Sequence, residues 1–236
     1  MPNQPISGND LARFAGQGTF MRLPQADGPE GLDVGFIGIP MDHGASWRSG
    51  TRFGPNQVRN ESAMIRPYAV QTGAAPFDAL QCADLGDVAI NTFNLRESIR
   101  LITEYYDTLL KNDIIPMSIG GDHTITLPIL RSIAKKHGPV GLIHVDAHAD
   151  VNDEMFGERE CHGTVFRRAY EEGLLRPTDV WQIGLRGTGY TAEDFDEPRD
   201  WGFNLRLAPD LWHKSTKPLA AEIMSKMGNG PVYMTY

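Results

Sequence analysis

The chain has 236 residues, of which 41 % are apolar and 22 % are charged, and its formal net charge is −8. This composition is typical of a folded globular protein, and no stretch approaches the roughly 18 apolar residues that a membrane-spanning helix needs. The acidic balance and the lack of a Lys/Arg run argue against nucleic acid and anionic membranes as partners. With only two cysteines and no signal-peptide pattern at the start, we expect a cytoplasmic protein.

The predicted elements begin after an N-terminal arm. Residues 1–32 are polar and interrupted by Gly and Pro, and we expect an irregular arm on the surface or on a neighbouring subunit. Residues 33–236 contain no linker-like stretch and are predicted to form a single domain. Short apolar runs in this part predict strands buried on both faces, over 34–40, 80–86, 113–121, 139–148, 179–185, 203–208 and 231–236.

Helices are predicted between most of these strands. Apolar residues recur there every three or four positions, over 94–111, 127–137, 163–172 and 219–227. Strands that alternate with helices in this way pair in parallel through crossover connections. The fold class predicted is therefore α/β with a mainly parallel sheet.

Two clusters of polar residues follow neighbouring strands of this predicted sheet. Asp122 and His123 come after the strand at 113–121, and Asp146, His148 and Asp150 come at the end of the next one. Ligands of an open parallel sheet bind beyond the carboxyl ends of its strands. On an extended chain, side chains at alternate positions point to the same side, so the second cluster is expected to converge on one space.

Imidazole and carboxylate ligands without a thiolate favour Mn²⁺, with Zn²⁺, Ni²⁺ or Co²⁺ as other options. The alternative is a structural hydrogen-bond network, which is the usual role of a single buried His or Asp. Three such residues together would concentrate negative charge at a cost of several kcal/mol unless a cation were present. We therefore predict a metal site for the second cluster, and a structural role for Asp122.

Several motifs together identify a family. They are GIPMD (38–42), RSGTRFGP (48–55), GGDHT (120–124), DAHAD (146–150) and CHGT (161–164). These segments resemble the signatures of the arginase/agmatinase superfamily, the manganese ureohydrolases, and the segments 62–68 and 184–195 look more like its guanidinobutyrase and guanidinopropionase members than arginase proper. The resemblance implies a three-layer α/β/α fold with sheet order 2-1-3-8-7-4-5-6, and a homotrimer or homohexamer.

The resemblance also implies a role for each metal ligand. His123 and Asp150 would bind one Mn²⁺, His148 would bind the other, and Asp146 would bridge the two. Asp150 would in addition be the first proton acceptor of the reaction.

Two further residues match positions that act on the substrate in this superfamily. His162 would shuttle protons or contact the substrate; the alternative is a loop histidine that caps the helix beginning near Gly163. Asn152 would contact the substrate, although ordinary turn chemistry explains an Asn at this position equally well.

The implied reaction is hydrolysis of the guanidino group of a linear substrate, such as 4-guanidinobutanoate, agmatine or 3-guanidinopropanoate, to urea and an amine. A formiminoglutamate hydrolase of the same fold is an alternative. The family's third signature, which supplies a further bridging aspartate, has no counterpart after the run at 231–236. A truncated copy that lacks a C-terminal strand and acts as a non-catalytic metal-binding pseudoenzyme is therefore a further expectation.

Overall fold

A computed structural model describes residues 3–236, with the backbone but not the side chains of residues 192 and 193. The strands are β1 Val34–Ile39, β2 Cys82–Asp87, β3 Ile115–Gly120, β4 Val140–Val145, β5 Leu175–Leu185, β6 Asn204–Leu207 and β7 Val232–Thr235. The α-helices are α1 Gly54–Ser62, α2 Pro76–Ala79, α3 Leu95–Leu109, α4 Thr126–His137, α5 Val165–Glu171, α6 Asp196–Asp200, α7 Ala208–Leu211 and α8 Lys217–Met227. The chain divides into two compact units, Met1–Ile125 and Thr126–Tyr236.

The first unit is built on a parallel sheet with the strand order β2-β1-β3. Val34 of β1 pairs with Cys82 on one side and with Ile115 on the other. Ile37 and Ile39 are completely buried, because a central parallel strand is covered on both faces.

Helix α3 confirms the helix predicted over 94–111. Its cap is Asn94, whose side chain accepts a hydrogen bond from the backbone N–H of Glu97 at 3.1 Å. One face of the helix is buried, and it consists of Ser98, Ile99, Ile102, Tyr106 and Leu109. The three- and four-residue spacing of these positions is what the sequence pattern predicted.

The predicted arm, described from residue 3 onward, has little regular structure, but its end is not superficial. Phe20 and Leu23 are each only 1 % exposed. Leu23 belongs to an apolar cluster with Val34 and Phe77. The last part of the arm therefore contributes to the core of the first unit.

The second unit contains a parallel sheet with the order β6-β5-β4-β7. Its core joins the helices α4 and α5 to the sheet through residues such as Leu127, Leu130, Val165 and Phe166. The strand orders 2-1-3 and 6-5-4-7 agree with the order that the family resemblance implies, and both sheets confirm a parallel α/β fold. The single domain predicted over 33–236 stays a prediction.

Helix α1 was not predicted, because its buried positions are largely polar. Arg59 is buried, and its Nε donates to Asp84 Oδ2 at 2.8 Å while its Nη1 donates to Asp87 Oδ1 at 2.6 Å. An ion-paired arginine satisfies a buried helix face without producing an apolar periodicity. Among the described residues, no helix is both long and apolar enough to cross a membrane.

Candidate metal centre

The DAHAD segment leaves the sheet directly after β4. Asp146 donates its backbone N–H to Ile183 O at 3.0 Å, and its Oδ1 accepts from the backbone N–H of His148 at 2.9 Å. This is the turn in which an Asp side chain binds the main chain two residues further on. Asp150 then adopts the left-handed region, with φ 52°, so the chain does not continue as an extended strand.

The expectation that positions 146, 148 and 150 point to one side of a strand is therefore wrong. The side chain of His148 is 77 % exposed and that of Asp146 is 25 % exposed, whereas Asp150 is 8 % exposed. The cause is the Asp146 carboxylate, which binds the His148 N–H and turns the chain out of the sheet.

Three side chains of the second unit nevertheless bring ligand atoms together at this edge. His144, Asp146 and Asp150 each offer one ligand atom, and these atoms lie within 4.8 Å of one another. His148 stands beside them, with its Nδ1 3.2 Å from Asp146 Oδ1. Carboxylate oxygens with imidazole nitrogens are a donor set that suits Mn²⁺ and other borderline divalent cations. The residues present here therefore fit a metal ion.

Sequence reasoning misses His144. This residue lies on β4, is completely buried, and places its Nε2 3.5 Å from Asp146 Oδ2. A signal was available, because residues two apart on a strand lie on the same face, and His144 precedes Asp146 by two.

In the first unit, the GGDH segment follows β3. Asp122 is buried; its Oδ2 accepts from Gly44 N at 2.9 Å and its Oδ1 accepts from Thr124 N at 2.8 Å. Both oxygens are thus occupied by main-chain N–H groups, which confirms the structural role predicted for Asp122. His123 is half-buried and begins the 3-10 turn His123–Ile125.

Gly121 is required by its surroundings in this segment. Its φ is +69°, and a Cβ atom there would lie 2.3 Å from Met41 O and 2.7 Å from Ile39 O. Both contacts are with backbone atoms that cannot rotate away, so only glycine allows the loop after β1 to approach the segment so closely.

The loop after β1 is held by a buried carboxylate. Asp42 accepts from Arg52 Nε at 2.6 Å and from Gly50 N at 2.6 Å. The hydrogen bond from the Arg52 side chain is the largest cause that lowers the pKa of Asp42 to about 2, against the raising effect of burial. Asp42 therefore stays ionised. Its hydrogen bonds to Gly50 and Arg52 connect the two parts of the segment that resembles the family's N-terminal signature.

The HGT segment and the residues after DAHAD are joined by two hydrogen bonds to one main-chain carbonyl. The backbone N–H and the side-chain Nδ2 of Asn152 both donate hydrogen bonds to Gly163 O, each at 3.0 Å.

The cap of the turn His162–Thr164 is Cys161, whose backbone N–H donates to Thr164 Oγ1 at 3.0 Å. His162 is therefore not the capping residue, and the alternative of a capping histidine is wrong.

The Arginase family profile matches residues 32–236. The chain belongs to the arginase family. It is 60 % identical to the guanidinobutyrase of Pseudomonas aeruginosa over 237 aligned positions, which cover 99 % of this chain and 74 % of that protein. It is 48 % identical to the mitochondrial agmatinase of Gallus gallus, with 99 % of this chain and 69 % of that protein covered.

A solved structure of this family agrees with the fold. The proclavaminate amidinohydrolase from Streptomyces clavuligerus superposes with a TM-score of 0.87 at 38 % sequence identity, over 94 % of this chain and 73 % of that one. The arginase-family resemblance inferred from the motifs is confirmed. The roles of the individual site residues stay predictions.

Proposed function

We propose that this arginase-family chain hydrolyses the guanidino group of a linear substrate, and that 4-guanidinobutanoate is the substrate it prefers. The observation that carries the proposal is the pair of carboxylates after β4, Asp146 and Asp150, with the imidazole of His148 beside them, in a chain that is 60 % identical to a protein named guanidinobutyrase. In this reaction, the oxygen of a water bonds to the guanidinium carbon, and the bond from that carbon to the substituted nitrogen breaks. The products are urea and an amine.

We propose that His123, Asp146, His148 and Asp150 hold two divalent ions, Mn²⁺ first, with Asp146 as the bridge. The assignment rests on the family motifs and on the donor set gathered after β4; Ni²⁺, Co²⁺ and Zn²⁺ suit the same donors. When bound, such ions lower the pKa of a coordinated water and so supply a nucleophile at neutral pH.

The remaining steps concern protons. Asp150, which is buried after β4, takes the proton of the attacking water at a carboxylate oxygen. A guanidinium is a poor electrophile with a basic leaving amine, so the amine must be protonated as it departs. His162 delivers this proton or contacts the substrate, and the bonds from Asn152 to Gly163 keep the two proposed substrate residues on one connected piece of chain.

Asn152 also has a binding role in this proposal. Its Nδ2 is engaged by Gly163 O, which orients the side-chain amide. Its Oδ1 is the atom that accepts a hydrogen bond from a guanidinium N–H.

The test is product release by the purified chain loaded with Mn²⁺: urea from 4-guanidinobutanoate, agmatine and 3-guanidinopropanoate, and formamide from formiminoglutamate, all compared at equal concentrations. We expect kcat/KM for 4-guanidinobutanoate to exceed the value for agmatine at least about tenfold, which is ~1.4 kcal/mol of differential transition-state binding. A metal-loaded chain that releases urea from none of the guanidino substrates would contradict the proposal and favour a non-catalytic metal-binding protein. Turnover of formiminoglutamate alone would favour that alternative, which has less support because both sequence relatives above are named for guanidino substrates.

We propose in addition that the protein acts in the cytoplasm as a homotrimer or homohexamer. The support is the family resemblance and, for the compartment, the presence of only two cysteines in the sequence. Sedimentation velocity of the metal-loaded chain measures the number of subunits, and a monomer at micromolar concentration would contradict the assembly.

A further inference from the structure

We propose that His144 is a positioning residue that orients Asp146 through an Nε2–H group, and that Gln182 fixes the tautomer of His144. The consequence for catalysis rests on the proposed function. The tautomer itself rests only on the geometry of the second unit.

The two residues are neighbours across the sheet. His144 of β4 and Gln182 of β5 are register partners of adjacent parallel strands, and both are completely buried. The Gln182 side-chain nitrogen lies 3.2 Å from His144 Nδ1 and 2.6 Å from Ala149 O. One amide group therefore contacts both the imidazole and the main chain of the DAHAD segment.

The carbonyl of Ala149 determines which way the Gln182 amide points. A carbonyl oxygen only accepts hydrogen bonds, so the group 2.6 Å away must be the amide nitrogen. With the amide reversed, two oxygens would face each other at that distance, and the nitrogen would occupy the place of Oε1, which is buried with no hydrogen-bond partner among the described residues. The amide nitrogen is thus fixed beside His144.

This orientation determines the state of the imidazole. An amide nitrogen cannot accept a hydrogen bond, so His144 Nδ1 must be the acceptor and carries no proton. The proton of the neutral ring is then on Nε2, which faces Asp146 Oδ2 at 3.5 Å. At this distance the Nε2–H group attracts the carboxylate electrostatically without a short hydrogen bond, and it so favours the position of Oδ2 on this side.

The same argument excludes His144 as a metal ligand, although one of its ring nitrogens lies within 4.8 Å of carboxylate oxygens of Asp146 and Asp150. Ligation through Nε2 would require the lone pair of Nε2 and move the proton to Nδ1, where two N–H groups would confront each other in a buried site. The ring is also held by Phe166, whose centroid is 4.4 Å away. His144 and Gln182 together therefore orient Asp146 and the backbone next to Asp150.

The tautomer is tested by long-range proton–nitrogen NMR on the metal-free chain labelled with ¹⁵N-histidine. The His144 signals are those that disappear in the His144→Gln variant. We expect an unprotonated Nδ1 and a protonated Nε2, and we expect Gln182→Leu to shift the Nδ1 signal of His144. Addition of Zn²⁺, which is diamagnetic, is expected to leave Nε2 protonated. A protonated Nδ1, or loss of the Nε2 proton with Zn²⁺, would overturn the inference.

The positioning role is tested by Mn²⁺ binding to two variants of similar shape. His144→Met removes the donor and is expected to weaken Mn²⁺ affinity by about 10- to 100-fold without changing the number of ions bound at saturation. His144→Gln keeps an amide N–H and is expected to stay within about threefold of the unsubstituted chain. His148→Met, which removes a proposed ligand, serves as the comparison and is expected to lose bound metal. Loss of metal stoichiometry in His144→Met would make His144 a ligand and reject the proposal.

The outcomes separate this inference from the proposed function. A chain that releases no urea but shows the Nε2–H tautomer refutes the hydrolase and leaves the geometry intact. A chain that hydrolyses 4-guanidinobutanoate but carries the proton on Nδ1 refutes the inference alone. If His144→Met does not fold, the tautomer measured on the unsubstituted chain and on Gln182→Leu decides the question.

Discussion

The segments that follow β3 and β4 contain the same residue types and use them differently. After β3, both oxygens of Asp122 accept hydrogen bonds from main-chain N–H groups. After β4, Asp146 gives one oxygen to the His148 N–H and turns the other towards His144. A buried carboxylate whose oxygens are both bound by the backbone is structural, whereas one that faces other ligand atoms is available for a cation. The motifs GGDHT and DAHAD do not show this difference by themselves.

The contrast between the two segments is tested most directly by removing a carboxylate after β4. Asp150→Ala is expected to lower kcat/KM for 4-guanidinobutanoate by at least about 10³-fold, which is ~4 kcal/mol of transition-state stabilisation, because it removes a proposed ligand and proton acceptor. Urea release measures the loss. Asp196→Asn, on an exposed helix where Asp196 pairs with Arg199, is the control and is expected to keep full activity. Activity of Asp150→Ala within tenfold of the unsubstituted chain would rule out this role.

In the segment after β3, the largest loss of stability is expected when a side chain is added at Gly121, where the backbone leaves no room for one. Gly121→Ala introduces a Cβ atom 2.3 Å from Met41 O at a φ of +69°, and we expect it to lower the free energy of unfolding by about 3 kcal/mol or more. Gly138→Ala is the matched control, since Gly138 has a φ of +74° with no atom within 4 Å of the added Cβ, and about 1 kcal/mol is expected there. Urea unfolding of the two variants measures both. Equal losses of unfolding free energy in the two variants would show that the close approach of Met41 O does not restrict the residue at position 121.

The structural role of Asp122 gives a smaller effect. Asp122→Ala leaves the buried N–H groups of Gly44 and Thr124 without their acceptor, and a loss of about 2–3 kcal/mol of unfolding free energy is expected. Asp122→Asn keeps one acceptor oxygen and is expected to lose about half of that. The measurement is urea unfolding of the metal-free chain. If Asp122→Ala instead abolished metal binding while unfolding normally, the contrast between the two segments would be wrong.

The smallest expected effect concerns acid stability. Because the pKa of Asp42 is lowered to about 2 from the model-peptide value of 3.8, its contribution to folding is complete above pH 3.8 and is lost as the pH falls towards 2. The free energies of unfolding of the unsubstituted chain and of Asp42→Asn are therefore expected to differ at pH 5 and to converge towards pH 2. Denaturant unfolding of both chains at several pH values between 5 and 2 measures whether this difference in unfolding free energy shrinks as the pH falls. If the difference in unfolding free energy instead grew on acidification, the pairing of Asp42 with Arg52 would be contradicted.

Part of the fold could be predicted because its signals are local. The apolar runs correctly predicted the positions of β1 to β7, and helix α3 followed from its apolar spacing and from Asn94 at its start. Burial on both faces was wrong for β3 and β7, which each leave alternate side chains exposed. Helix α1 could not be found in this way, because Arg59 on its buried side is satisfied by Asp84 and Asp87 rather than by apolar neighbours. The buried end of the N-terminal arm was also missed, since Phe20 and Leu23 stand in a polar, irregular context.

The candidate site shows the same limit. The residue types of a divalent-cation site were evident in DAHAD, but the path of the segment was not. A single hydrogen bond, from His148 N to the Asp146 carboxylate, ends the strand and exposes the histidine. Strand periodicity alone does not reveal where a side chain will compete with the sheet for a main-chain N–H.

The sequence by itself determined the family, the parallel α/β class and the residue types that converge after β4, since short motifs and apolar periodicity are properties of neighbouring residues. Only the tertiary structure decided what each polar group bonds to. His144 and Gln182 are 38 positions apart, and their contact exists because the register of β4 and β5 places them side by side. Register is set by the packing of whole strands, and through it a residue distant in the sequence fixes the proton that His144 presents to Asp146.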